Sequence, residues 1–191
     1  MGKDTDIDLM LRFGQGDETA FRSLYMTYRK KIINYCYRFF FDLGTAEELS
    51  QEVFMRVYKA GSRYRPEAEF STWLFKIATH LCLNELRKKR YKNWFVSLDS
   101  EEGSVANQLA DPSPEILAVM EGRERKKKIT SAIRALPGKQ RAAVLLREYH
   151  GFSYKEIAFQ LGQSESSVKA LIFRGRDHLK QTLCGEFGEG L

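Results

Sequence analysis

SYKEIAFQLGQSESSVKALIFRGR, residues 153–176, has the spacing of a DNA-reading helix-turn-helix. The small Ala158 stands where two helices must touch, and Gly162 stands where the chain needs a positive φ in order to turn. Val168 stands where the second helix packs back on the first. Together these three positions favour DNA binding over the alternative interpretation, a plain helical hairpin whose charges are only solvated.

The two helices of this motif also carry local signals. Ser153 and Glu156 form an S-x-x-E capping box that begins the first helix. The second helix has polar and cationic residues, some of them near the N-terminal end that meets base edges in such motifs. These residues are Ser166, Ser167, Lys169, Arg174 and Arg176. Lys139 and Arg141, at the start of an earlier helix, are expected to add phosphate contacts.

Charge is distributed unevenly along the 191 residues. The chain has 31 Lys and Arg against 25 Asp and Glu, a net charge of +6, which points toward a polyanionic partner. Between Asn93 and Gly122 there is no Lys or Arg, while six acidic residues accumulate there. Two basic flanks are therefore joined by an acidic strip, which is compatible with a solubilising spacer and is not expected to contact DNA, since like charges repel.

The three cysteines, Cys36, Cys82 and Cys184, are odd in number and form no CxxC pair. We therefore expect reduced thiols, no metal site and no cofactor. Cys36 and Cys82 lie in helical apolar patterns typical of core residues. The sequence has no apolar run of membrane-spanning length and the N-terminus has no signal-peptide character, so we expect a soluble cytoplasmic protein without membrane insertion.

Apolar residues recur with helical period almost throughout, which predicts an all-α protein. The first helices are expected at about residues 6–13, after an Asp17 cap, and from a Thr45–Glu48 capping box to about Ala60. A loop at 61–70 precedes a long helix capped by Ser71 or Thr72 and ending at Arg87–Arg90. Ser113-Pro114 starts a further helix, Leu136-Pro137-Gly138 breaks it, and a helix to Tyr149 leads into the motif.

This pattern predicts two small helical domains joined by a flexible linker. We expect the first domain at residues 6–92, an acidic linker at 93–112 and a helix-turn-helix domain at 113–184. No internal repeat is visible in the sequence.

Four sequence elements, in order, resemble the extracytoplasmic-function group of bacterial sigma factors, which keep sigma regions 2 and 4. The resemblance covers about residues 6–183, and it implies that the acidic strip passes through a positively lined region of the polymerase, an alternative to the solubilising spacer. The elements are Gly16-Asp17 with Ala20-Phe21 and Leu24-Tyr25; AEELSQEVFMRVY at 46–58; FSTWLFKIATHLCLNELRKKR at 70–90; and Leu136-Pro137 followed by the helix-turn-helix. One element would be weak support, and four at suitable distances are strong.

The resemblance implies a surface on the 46–58 helix that binds the clamp helices of the RNA polymerase β′ subunit, with the β flap as a further contact. The residues implied are Glu48, Leu49, Gln51, Glu52, Met55 and Arg56. By pattern alone, an ordinary amphipathic helix with a solvated face explains the same residues. Glu48 replaces the aspartate that is commonest in the family, a departure that keeps the charge.

The resemblance also implies that residues 63–90 read a melted −10 element, since single strands need planar faces for stacking and cations for phosphates. The residues implied are Arg63, Tyr64, Arg65, Trp73, Lys76, His80, Asn84, Arg87 and Lys88. For Trp73, its spacing to Ile77 favours a partly buried core position as much as a base contact.

In the C-terminal part, the residues implied to read a −35 element are Ser166, Ser167, Lys169, Ala170, Phe173 and Arg174. An arginine can bind guanine O6 and N7, and Phe173 can contact a thymine methyl group. Leu171 stands where many members have arginine, and Gly175 replaces a common alanine at about 1 kcal/mol of helix propensity. These departures concern which promoter is read.

The leading hypothesis is a transcription initiation factor that binds core RNA polymerase, directs it to −10 and −35 elements, and is controlled by an anti-sigma factor. The alternative is a helix-turn-helix regulator that binds operators without engaging the polymerase, which leaves the first ninety residues unexplained. We expect no enzyme, because GxSxG, Walker and zincin motifs are missing and His80 and Cys82 do not share a helix face.

Overall fold

The structure, a computed structural model, describes residues 5–96 and 114–187. These residues form eight α-helices and one 3₁₀ turn, with no strand among them, so the prediction of an all-α fold is confirmed. The first half contains α1 Asp6–Gly14, α2 Glu18–Phe40, α3 Leu43–Ala60, the 3₁₀ turn Gly61–Arg63 and α4 Phe70–Val96. The second half contains α5 Pro114–Ala135, α6 Gly138–His150, α7 Tyr154–Leu161 and α8 Glu165–Phe187.

The N-terminal module is built around α2, whose apolar stripe faces α3 and α4. Ile32, Tyr35, Cys36 and Phe39 are fully buried along this stripe. The helix begins as expected, because the carboxylate of Asp17 accepts hydrogen bonds from two backbone N–H groups of its first turn.

The predicted start of α3 is wrong. The helix begins at Leu43, before the expected Thr45–Glu48 capping box, and Asp42 is its N-cap. Phe41 adopts the left-handed conformation with φ 53°, which reverses the chain within two residues. The carboxylate of Asp42 then accepts from the Thr45 N–H at 2.7 Å, so it fills the capping role earlier.

The predicted limits of α4 are also wrong at both ends. The helix begins at Phe70, so Ser71 and Thr72 lie in its first turn rather than capping it. At the other end it continues past Arg90 to Val96. Lys and Arg have high helix propensity, so a run of basic residues is not a stop signal.

The C-terminal module contains the predicted helix-turn-helix in α7 and α8. The Ser153–Glu156 capping box is present, and Gly162 ends α7 in the left-handed conformation with φ 60°. Val168 is fully buried and Ala158 nearly so, as the spacing predicted. One face of the second helix therefore packs on the core of the module, and its opposite face is exposed.

Gly175 has a packing reason in the structure. A Cβ atom built at this position would lie 2.6 Å from Cγ2 of Val144 on α6, so the two helices approach too closely for any side chain there. The close contact between the two helices thus explains why glycine stands here despite its low helix propensity.

Cys36 and Cys82 are buried core residues, as predicted, and their Sγ atoms lie 3.7 Å apart between α2 and α4. In the part of the chain that is described, no helix is both long and apolar enough to cross a membrane. Most of the predicted acidic linker, residues 97–112, and the predicted cap Ser113 lie outside the described residues.

Candidate nucleic-acid and protein interfaces

The outward face of α3 presents most of the residues expected to contact a protein partner. Met55 is 51% exposed, and four polar neighbours, Glu48, Gln51, Glu52 and Arg56, are also exposed. Leu49 differs, because it is only 9% exposed and packs into the core beneath this face. It therefore supports the surface from below.

An ion pair joins two of the charged residues on this face. Nε of Arg56 donates to Glu52 at 2.8 Å, and this hydrogen bond lowers the pKa of the Glu52 carboxyl. The carboxylate therefore stays ionised well below neutral pH. Removing either residue leaves the other exposed and without this ion-pair partner.

A cavity of about 180 Å³ between α2 and α3 extends this face. It is lined on the α3 side by Gln51 and Phe54, and on the α2 side by residues that the sequence analysis did not assign to a binding surface. Tyr25, Arg29 and Ile33 are these residues, spaced four apart on α2. Periodicity predicts which residues of α2 are apolar, but it does not predict that Tyr25 and Ile33 stay only partly buried and border a cavity.

The loop before α4 holds two exposed arginines on either side of a packed tyrosine. Arg63 and Arg65 face solvent, whereas Tyr64 is half-buried, and its ring centroid lies 5.0 Å from that of Trp73. The ring centroids of Trp73 and Phe70 are 5.9 Å apart. Tyr64 and Trp73 thus pack on each other, which agrees with the partly buried position expected for Trp73.

Further along α4, four of the expected DNA-binding residues share one exposed side: His80, Asn84, Arg87 and Lys88. The last three line a groove of about 610 Å³ between α3 and α4. Its other wall includes Glu48, Glu52 and Arg56, so the structure brings together residues that the sequence analysis assigned to separate partners. Tyr91, at 65% exposure, lines the same groove and was missed because it follows the motif.

His80 is mostly uncharged at neutral pH. Burial, followed by the charges of Lys76 and Arg56, lowers its pKa below the ordinary value. Its contribution to a nucleic-acid interface is therefore hydrogen bonding or stacking, and the cations of this surface are its arginines and lysines.

Lys76 is separated from the rest of this set. Its ammonium lies 4.0 Å from the ring centroid of Phe159 on α7, so the C-terminal module covers it. The residues of the first turn of α4 are likewise in contact with α7 in this arrangement.

On α8 the expected DNA-reading residues form one exposed strip. Phe173 is 72% exposed, an unusual value for a large apolar side chain, and it lies between Ala170 and Arg174. Lys169 and Ser166 are also exposed, while the Ser167 hydroxyl donates to Gln163 at 3.0 Å. An exposed phenylalanine flanked by cations fits a groove with both methyl groups and phosphates.

Two arginines of the C-terminal module have other partners. Arg176 donates from Nε to Glu148 at 2.9 Å. Arg141, expected to contact phosphate, is only 4% exposed and bonds to backbone carbonyls, so in this arrangement that prediction is wrong. Within the described residues, no cluster of His, Cys, Asp or Glu could hold a metal ion.

Comparisons with known proteins agree with this geometry. Residues 24–91 match the family Sigma-70 region 2, and residues 126–179 match Sigma-70, region 4. The chain is 33% identical to the ECF RNA polymerase sigma factor SigW of Bacillus subtilis over 178 residues, covering 88% of this chain and 91% of SigW. The chain belongs to the extracytoplasmic-function sigma factors of the sigma-70 family.

Another relative of this sigma factor is the RNA polymerase sigma-H factor of Pseudomonas aeruginosa, 32% identical over 185 residues and 95% of each chain. Two solved structures share its fold. CnrH in complex with the cytosolic domain of CnrY has a TM-score of 0.68 at 18% identity, covering 96% of this chain and 99% of that one. The sigma factor RpoE of Bartonella quintana, in complex with the anti-sigma factor NepR, has a TM-score of 0.64 at 19% identity, covering 87% and 98%.

Proposed function

We propose that this sigma factor binds core RNA polymerase and directs it to promoters by reading a −10 element with region 2 and a −35 element with region 4. The observation that carries the proposal is the presence, in one chain, of both family regions with an exposed basic surface on each. An operator-binding regulator would need only the second of these surfaces.

Region 4 is proposed to read duplex DNA through the exposed strip of α8. Arg174 and Phe173 are both exposed, and we propose that Arg174 binds guanine O6 and N7 and that Phe173 contacts a thymine methyl group. Lys169 and Ser166 are proposed to contact the adjoining backbone. Because these contacts involve few phosphates, the isolated module is expected to bind DNA weakly, and its affinity is expected to depend only modestly on salt.

Region 2 is proposed to capture a strand that is already melted. The exposed cations Arg63, Arg65, Arg87 and Lys88 hold phosphates, and Tyr91 adds an exposed ring to the groove between α3 and α4. Base stacking on an aromatic side chain contributes about 1–3 kcal/mol per base. That is enough to retain an opened strand, but it does not open a long duplex alone.

Polymerase docking is proposed for the exposed face of α3, together with the α2 residues that border it. Gln51 lines the cavity between these helices, and Met55 supplies exposed apolar area in the same face. By family resemblance the partner elements are the β′ clamp helices, with the β flap contacting region 4. We assign the domains to residues 6–92 and 113–184, with the acidic linker between them.

No reaction is assigned to this chain, which acts by binding within the cytoplasm, where polymerase and chromosome are located. We further propose control by an anti-sigma factor. The RpoE structure of similar fold is in complex with an anti-sigma factor, and the exposed surfaces of α3 and α8 are the ones that such an inhibitor would have to cover.

Reconstituted transcription tests the proposal directly. The purified chain is added to core RNA polymerase and fragmented genomic DNA, and the starts of the transcripts are sequenced. We expect new start sites that share two sequence elements, whereas a variant with Lys169, Phe173 and Arg174 all changed to Ala should lose them. Association with DNA but not with core enzyme would instead support the operator-binding alternative.

A further inference from the structure

A cavity that none of the surfaces assigned above uses lies beside α2. Its volume is about 510 Å³, within the range of about 300–1,000 Å³ typical of small-molecule sites. Its walls come from α2, from the first two turns of α4, and from the end of α6 with the turn that follows it. No residue that lines this cavity has a role in the proposed contacts with polymerase or promoter. The chemistry of these residues therefore points to a separate ligand.

Two cations, Lys31 and Arg38, line this cavity from one face of α2. They are seven residues apart, so their backbones are separated by about 10.5 Å along the helix axis. Neither forms an ion pair with a carboxylate in the described part of the chain. Nζ of Lys31 lies 4.9 Å from the ring centroid of Tyr28, and Cζ of Arg38 lies 4.3 Å from that of Tyr149. Contact with a ring leaves the charge of a cation uncompensated, so both can bind an anion.

His150, which also lines the cavity, reports the positive potential there. Burial, followed by the charges of Arg38 and Lys31, lowers its pKa to about 4, so the imidazole is uncharged at neutral pH. The charged groups that lower this pKa are both cations. The carboxylate of Asp6 acts instead on the hydroxyl of Tyr28, which donates a hydrogen bond to it. The cavity therefore favours a ligand with at least two negative charges.

The remaining wall of the cavity is mostly aromatic. Phe75 and Phe152 pack edge to face with their ring centroids 5.1 Å apart. Tyr149 adds a ring that is 50% exposed. We call Phe75, Tyr149 and Phe152 the aromatic wall, which favours a planar ligand group. Asn34, between the two cations on α2, makes no side-chain hydrogen bond within the described residues, so its amide is available to a polar group of the ligand.

We propose that this cavity binds a nucleoside diphosphate or triphosphate. The phosphates contact Lys31 and Arg38, and the base lies against the aromatic wall. Such a ligand joins several negative charges to a planar ring, which matches both features of the cavity. A small inorganic anion matches the cations alone, and an uncharged aromatic molecule matches the rings alone.

Isothermal titration calorimetry of the full chain with ADP, GDP and inorganic pyrophosphate tests this site. We expect both nucleotides to bind, and pyrophosphate to bind about tenfold more weakly because it lacks the base. Tyr149→Leu should weaken ADP binding severalfold and leave pyrophosphate binding unchanged. If neither nucleotide binds, the site is wrong. If pyrophosphate binds as tightly as ADP, the base makes no contact and the assignment to nucleotides is wrong.

Substitution of the two cations separates a built site from general attraction to a basic protein. Lys31→Gln and Arg38→Gln should each weaken ADP binding about tenfold, because a charge-assisted hydrogen bond to phosphate is lost. Lys30→Gln and Arg22→Gln, at exposed positions on α2 outside the cavity, are the matched controls and should change the affinity by less than about twofold at physiological salt. Far-UV circular dichroism checks that all four variants keep their helices. Equal losses in variants and controls, or folded Lys31 and Arg38 variants with the wild-type affinity, overturn the proposal.

NMR spectroscopy locates the nucleotide in the wild type without any substitution. The chain has three histidines, of which His150 lines the cavity. ADP should shift the ring signals of His150 and leave those of His80 and His178 unchanged. Shifts confined to His80 would place the nucleotide on the proposed −10 surface and overturn this site. The outcome is independent of the proposed function, because reconstituted transcription can fail while ADP still shifts His150.

Discussion

Arg174 and Arg176 stand two residues apart on α8, yet their surroundings differ. Arg176 is bonded to Glu148, whereas Arg174 extends from the exposed strip beside Phe173. We expect Arg174→Ala to weaken binding of the cognate −35 duplex by about 1–3 kcal/mol, because a bidentate guanine contact is lost. Fluorescence anisotropy with cognate and scrambled duplexes measures this difference.

The Arg176→Ala variant is the control for Arg174, since it removes the same charge two residues away. It should weaken both duplexes alike and leave the preference for the cognate sequence unchanged. If Arg174→Ala also weakens both duplexes equally, Arg174 contacts phosphate and the assignment to base reading is wrong.

At the scale of helix packing, the close approach of α6 and α8 limits what residue 175 can be. Alanine is the better helix former, but its methyl group would lie 2.6 Å from Val144. We therefore expect Gly175→Ala to lower the free energy of unfolding by about 1–3 kcal/mol, as overpacking does. Urea denaturation followed by circular dichroism measures the change.

Gly44 offers a matched control for this substitution, because a Cβ there meets only Asp42, at 3.8 Å. Gly44→Ala should raise the free energy of unfolding by about 0.4–1 kcal/mol by restricting the unfolded chain. A stabilising Gly175→Ala would show that the two helices separate more readily than the structure indicates.

The exposed face of α3 is the element on which polymerase binding is expected to depend. Changing Gln51 and Glu52 together to Ala should remove detectable association with core enzyme, a loss of about 2 kcal/mol or more, typical of interface hot spots. The measurement is co-purification with core polymerase. Asp177 and Gln181 on α8, hydrogen-bonded at 2.8 Å, give a control double variant of similar chemistry. Unchanged co-purification of the α3 variant would contradict the docking assignment.

For the whole molecule, His150 makes the contact between modules sensitive to acid. The centroid of its ring lies 4.5 Å from that of Phe75 and 5.5 Å from that of Tyr35, and both of these residues belong to the N-terminal module. The ring of Phe152 is also close to it. Burial, followed by the charges of Arg38 and Lys31, lowers its pKa to about 4. The folded state therefore resists a proton that the unfolded chain accepts near pH 6.5.

It follows that His150 leaves stability intact above about pH 6.5 and reduces it progressively as the pH falls toward 4. We expect His150→Phe to lose less stability than wild type over this range. The urea midpoint of each protein is measured at several pH values. Subtracting the variant's midpoints from those of the wild type cancels the contribution of His80, which is present in both. Parallel pH profiles would show that His150 is solvated in solution.

Much of the fold could be predicted because its signals are local. The Ser153–Glu156 box, the positive φ of Gly162 and the stripe on α2 each depend on residues within a few positions of one another. The start of α3 was misplaced for a related reason: two acceptable caps stand three residues apart, and the reversal at Phe41 chooses Asp42.

What the sequence by itself determined is the set of helices, the helix-turn-helix and the family resemblance, since spacing and side-chain chemistry encode them. Only the tertiary structure decided that Arg141 is buried against α2, that Lys76 lies under Phe159, and that α3 and α4 share one groove. Periodicity shows which face of a helix is apolar, but it does not show which distant helix will cover a charged side chain. That choice depends on contacts between residues about a hundred positions apart, whose energies emerge only when the chain is folded.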